Sequence, residues 1–364
     1  MIHRSKLALC SVALTLCFST AAFVGPPQAQ ALPVAVSPYT LTALTKLVPP
    51  GGATLPDDLA VTADGAGLWI GYGNGVDTTG KGGPSNAVEY DLSTGAVLHN
   101  LLIPGHLDGL KINPTTNDVW ATENEDGNPT LAVINHTTGD FTIYRFSPTM
   151  ITGGMDDLVF AGPGSADVFI VASSQANTTT PVIVQIAGPL QPTNTALTSA
   201  LAGAPPAVWN IVANAEETTD MIGDPDSMTL DPASELVLDN RSDDSLYIAR
   251  GKDAPNPVLR VPLTLAGKSV EVNDTISTVS ATNGVSSTAG IIYITDTTAN
   301  VIYALTKPYF PPNEYYTAAN VVNDVGLLNL NTGVLTPVVT GFAGVHGLAF
   351  SPTSVAIAPS STEK

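Results

Sequence analysis

The chain has 364 residues, with 13 Lys and Arg against 32 Asp and Glu and a formal charge of −19. So acidic a chain is repelled by phosphate backbones, which excludes nucleic acid as a partner class. Only 12% of the residues are charged and 44% are hydrophobic, so the chain is no disordered polyanion and should bury a large core.

Residues 1–31 read as a secretory signal peptide. Arg4 and Lys6 precede an uncharged run from Leu7 to Val24, Gly25, Pro26 and Pro27 break any helix, and Ala29-Gln30-Ala31 offers a cleavage site after Ala31. Removal takes two basic residues and no acid, leaving 11 (13 less 2) against 32, a balance of −21. Cys10 and Cys17 leave with the signal, so no disulfide and no thiolate ligand is expected in the mature protein. The expected product is secreted or periplasmic, free of the membrane after cleavage and monomeric, with residues 32–364 forming one domain.

Those residues repeat. Pro56-Asp57-Asp58-Leu59 returns as Leu107-Asp108-Gly109-Leu110, Met155-Asp156-Asp157-Leu158, Pro225-Asp226-Ser227-Met228, Asn273-Asp274-Thr275-Ile276 and Val345-His346-Gly347-Leu348. The intervals are 51, 48, 70, 48 and 72 residues, the length of a four-stranded propeller blade with insertions in two of them. A second apolar run follows each of the first five copies, such as Leu68-Trp69-Ile70, Val119-Trp120-Ala121 and, after the fifth, Ile291-Ile292-Tyr293. These runs are too short for helices and suit strands. Polar turns ending in Gly recur as Asp91 to Gly95, Asn135 to Gly139 and Asn329 to Gly333, where hairpins would bend. The expected fold is therefore all-β, a six-bladed β-propeller. Too few residues follow His346 for a whole blade, so the N-terminal run Tyr39 to Val48 should supply the missing outer strand and close the ring.

The Asp-Gly-Leu type of first strand, with the segment from Ile292 to Tyr303, resembles six-bladed propellers of the NHL and SMP-30/gluconolactonase group. The resemblance is blade-level and spans the mature chain. For the lactonases of that group it implies a metal held by a Glu, two Asn-type positions and an Asp at inner-strand starts, the Asp also serving as acid and base. Asp226 matches that Asp. Asp57, Asp108 and Asp156 stand where Glu and Asn-type ligands would be, which makes this site more anionic than the group's.

The innermost strand of a blade begins at one mouth of the central channel, so equivalent repeat positions meet there. They read Asp57, Asp108, Asp156, Asp226, Asp274 and His346. At ~5 Å, two carboxylates repel by roughly 3 kcal/mol at an effective dielectric near 20, and a ring of five cannot stay ionised and empty. Either some members are protonated, or the side chains turn to brace backbone amides, or a cation binds. All-oxygen ligands without thiolate favour Ca²⁺, then Mg²⁺ or Mn²⁺. The register at Asp57/Asp58 and Asp156/Asp157 stays open by one residue. Glu123, Asp239 and Asp296, at second-strand ends, should form an outer layer. Asp226, His346 and His106 are the candidates for moving protons.

Two insertions, 186–224 and 306–324, would either form a lid, with Tyr309, Phe310, Tyr315 and Tyr316 facing substrate, or pack outside the ring. The chemistry implied is metal-assisted hydrolysis of a lactone or ester small-molecule substrate. The alternatives are a propeller that binds an extracellular protein or carbohydrate around a structural ion, and a metal-dependent lyase.

Overall fold

The computed structural model describes residues 32–352 apart from 147–150, 152, 163–166, 173–179, 194, 204, 206–207, 218–221, 251–252, 279–289 and 312. The expected signal segment, with both cysteines, lies outside the described residues. Among them no helix is long and apolar enough to cross a membrane.

The fold is all-β, with small sheets arranged as a propeller around one axis. The first four sheets follow the chain. They comprise strands from Pro56–Val61 out to Val97–Pro104, from Leu107–Ile112 out to Phe141–Arg145, from Leu158–Ala161 out to Leu197–Ala202, and from Pro225–Leu230 out to Val258–Pro262. The polar turns form as the sequence demands. Gly95, Gly139 and Gly333 have φ of 79°, 75° and 66°. Asp91 and Asn135 each accept the two amides that follow within the turn, those of Ser93 and Thr94 and of Thr137 and Thr138. This brace fixes the bend, and Gly supplies the left-handed residue that ends it.

The expectation of six successive blades needs correction over the last third. There the chain builds one interleaved pair of sheets, so five units follow one another along the sequence, four single sheets and this pair. Asp274–Ser277 is innermost in a sheet continued by Tyr315–Ala319, Asp324–Asn329 and Val334–Thr340. Ile291–Asp296, expected beside it, pairs instead with Val345–Ser351, the innermost strand of the other sheet. Short strands buried on both sides carry no mark of their partner in their composition, which is why the exchange is not legible.

The N-terminal closure forms. Thr40–Ala43 adds outside Val301–Thr306 with Leu41 opposite Leu305, in the sheet whose innermost strand is C-terminal. The insertions build edges and core. Val208–Asn210 runs parallel to Val258–Pro262 outside the fourth sheet, and Ala215–Glu217 pairs with it. Tyr315–Ala319 is a sheet strand, while Phe310 and Tyr316 are buried with Ile294 and Leu348.

Candidate metal centre at the channel mouth

Four of the innermost strands carry the same irregularity. Register slips between Pro56 and Leu59, Leu107 and Leu110, and Pro225 and Met228, and across Val345 to Leu348 opposite Ile294 and Asp296. A bulge breaks the in-out alternation of a strand, so two successive residues can face the axis. Both residues of every copy line one small space: Asp57 and Asp58, Asp108 and Gly109, Asp156 and Asp157, Asp226 and Ser227, Asn273 and Asp274, His346 and Gly347. The one-residue ambiguity at the Asp-Asp copies resolves as two layers.

The outer layer contains Asp57, Asp108, Asp156, Asp226, Asn273 and His346. Asp108, His106 and Asp57 each present an atom within 4.8 Å of the others, and so do Asp108, Glu125 and Asp156. Asp108 is buried, and its Oδ2 has no hydrogen-bond partner among the described residues. Burial, then the neighbouring charges of Glu125, Asp57 and Asp226, push Asp108 well above the usual carboxylate range. Burial and then Asp108, Asp226 and Glu125 do the same to Asp156. Asp226 is raised as well, by burial, although Arg241 stands against it with Nη1 3.4 Å from Oδ2. Asp57 differs. Burial would raise it, but His346, 2.5 Å away, and His106 outweigh burial and hold it below its ordinary value. Burial opposes the charge on His346, but Asp57 beside it lifts the imidazole to about 9. His106 is oriented by its Nδ1, 2.9 Å from the Val76 carbonyl, which leaves Nε2 facing Asp57 at 4.0 Å.

The inner layer is a brace. Lys111 places Nζ 2.8 Å from both Asp58 Oδ2 and Asp157 Oδ1. Asp274, expected in the ring of ligands, belongs here: it accepts from the Leu348 amide and from Ser227 Oγ, while Asn273 takes the ring position, 2.9 Å from His346 Nδ1. Two of the second-strand acids also have local partners. Asp239 accepts from Thr275 Oγ1 and lies 2.9 Å from the Ser227 hydroxyl it shares with Asp274, and Asp296 accepts from the amides of Ala299, Ala343 and Gly344. Glu123, opposite Leu107, is buried.

The repeat did not point to Glu125, Arg241 or Lys111. Glu125 lies in the loop two residues beyond Glu123, and Arg241 follows a second strand, so a search of first strands passes over both. Lys111 did carry a signal, as a lone cation within an innermost strand.

No protein-family model matches the chain, and no curated protein does. Among solved structures it is similar to a streptogramin B lyase (14% identity, 85% of this chain and 90% of that one, TM-score 0.48). It is also similar to the virginiamycin B lyase of Staphylococcus aureus (13%, 86% and 81%, 0.46). A putative gluconolactonase aligns at 11% identity over 83% of this chain and 87% of that one, with a TM-score of 0.45.

Proposed function

We propose that the protein is an extracytoplasmic propeller that holds a divalent cation at its acidic mouth and hydrolyses a lactone or ester there. The observation that carries this reading is the buried, unpartnered Oδ2 of Asp108 among Asp57, Asp156, Glu125 and His106. The donor set fits a hard cation: carboxylate oxygens with one imidazole, Ca²⁺ first and Mg²⁺ or Mn²⁺ next. The space within the ring is about 20 Å³, room for one ion or water and no organic molecule, so substrate would meet the site from outside.

When bound, such a cation supplies Lewis-acid polarisation of a carbonyl oxygen. The remaining work falls to side chains. Asp226, beside Arg241, is positioned to hold and return a proton. His106, with Nδ1 committed to Val76, offers Nε2 as acceptor. His346, kept charged by Asp57, acts as a donor to an anionic leaving group.

The same small space favours a second reading, in which the ion only stiffens the axis of a propeller whose loops bind protein or carbohydrate. Chelated protein supplied with Ca²⁺, Mg²⁺ or Mn²⁺ and a panel of lactones and esters separates the two. Hydrolysis that needs the cation and is lost in Asp226→Asn, with melting unchanged, supports the enzyme. A melting rise with no turnover supports the scaffold, and an unsaturated product without water uptake indicates a lyase.

A further inference from the structure

Beyond the Lys111 brace the channel widens again. The outer halves of the innermost strands enclose a second chamber of about 320 Å³, within the ~300–1,000 Å³ typical of small-molecule sites. Every sheet contributes an apolar wall residue: Val61, Ile112, Phe160, Leu230, Ile276 and Ala349. All of these except Phe160 remain partly exposed. Apolar side chains gathered from six strands and still wetted are ready to be covered.

The floor adds direction. An ammonium has three N–H donors, and the two contacts of Lys111 to Asp58 and Asp157 leave one for an acceptor in the chamber, where Asp274 also contributes to the lining. Three acids surround that single cation, so an anionic ligand meets no positive excess, and the apolar walls desolvate a cationic one. We propose that the far chamber binds a neutral, compact, mainly apolar molecule bearing one hydroxyl or carbonyl that accepts from Lys111. The layer of Lys111, Asp58, Asp157 and Asp274 separates it from the acidic mouth, so it does not depend on the cation reading.

The probe is 1-naphthol, titrated into purified protein and followed by its fluorescence and by calorimetry. One molecule binds per chain. Naphthalene, without the hydroxyl, binds at least several-fold more weakly, and 1-naphthoate, with its charge, at least tenfold more weakly. Ala349→Phe and Ile112→Trp, each filling the chamber from a partly exposed position, reduce 1-naphthol affinity at least tenfold while melting shifts little. The proposal is overturned if 1-naphthol does not bind, if binding survives in both filled variants, or if 1-naphthoate binds as tightly. It is equally overturned if binding appears only after removal of residues 353–364.

Discussion

Asp157 reaches from the third sheet to the fourth, its Oδ2 accepting the Met228 amide at 2.9 Å while Oδ1 accepts that of Leu158. Asp58 does the same from first to second, holding the amides of Leu110 and Leu59, and Asp274 holds Leu348 across the fifth and sixth. The intervening copies carry Gly109, Ser227 and Gly347. Small residues are required there. A Cβ on Gly109 would come within 2.5 Å of Asp157 Cα, and one on Gly347 within 2.5 Å of the Asp57 carbonyl oxygen. An acid on every second strand thus ties the ring with threefold alternation, without a disulfide. The bracing foreseen for the repeat's acids occurs in the inner layer, whereas Asp108 in the outer layer keeps an oxygen without a hydrogen-bond partner among the described residues.

Removing one brace exposes its worth. Asp157→Ala leaves the amides of Leu158 and Met228 and one contact of Lys111 unmet in a buried site. Breaking a buried pair costs about 3–5 kcal/mol. Urea titration should show an unfolding free energy lower by that order, and Gly109→Ala a loss of about 1–3 kcal/mol from the clash. A loss within the ±0.5 kcal/mol typical of surface positions for both would deny the inner layer its role.

Stability should fall as pH rises from about 4 to above 8. Burial is the main force lifting Glu123 to about 7 and Asp239 to about 8. Burial with the nearby charge of Asp58 lifts Asp274 to about 8. The fold therefore keeps protons that the unfolded chain releases near 4. The stabilisation is complete below the unfolded values and is lost as pH passes through the folded ones, by ~1.4 kcal/mol per pH unit for each retained proton. Urea midpoints in chelator should decline across this window, and Asp239→Asn should flatten the slope. Midpoints that rise instead would mean these acids are ionised in the fold.

The repeat made the outer layer legible at Asp57, Asp108, Asp156, Asp226 and His346, because an apolar residue two positions later anchors each copy. It misplaced the fifth for a physical reason. The anchor position there is Thr275, whose hydroxyl donates to Asp239, so the apolar Ile276 draws the alignment one residue along and puts Asp274 where Asn273 stands. The closing strand was legible from the shortage of residues after His346. The strand exchange between the last two sheets was not, since pairing between strands of like composition is decided by contacts distant in sequence. Glu125 and Arg241 enter the site from loops and second strands, outside the repeating unit that the sequence displays.

Asp108→Asn separates the cation from the brace. Without a cation the substitution removes a carboxyl from among Glu125, Asp57 and Asp226, so the chelated variant should melt no lower than the parent. In the parent, Ca²⁺ at a hundred times its Kd should add about 2.7 kcal/mol. The variant should lose most of that gain. Equal Ca²⁺ responses in scanning calorimetry would place any binding away from Asp108.

The N-terminal strand should be separable from the ring and replaceable from outside. Thr40–Ala43 covers the edge of Val301–Thr306, and the following turn sinks Leu44 and Leu47 among Tyr72, Tyr90 and Ile302. A chain starting at residue 50 keeps all six innermost strands but bares that edge, which invites pairing between molecules. It should melt lower and associate on light scattering, whereas Leu44→Ala in the full chain should cost about 2–5 kcal/mol and scatter no more than the parent. A peptide of residues 38–49 added to the shortened protein should restore melting by adding the strand back, since main-chain pairing and two leucine sockets are all it needs. If the shortened chain melts with the parent and ignores the peptide, the ring is closed by its sheets alone.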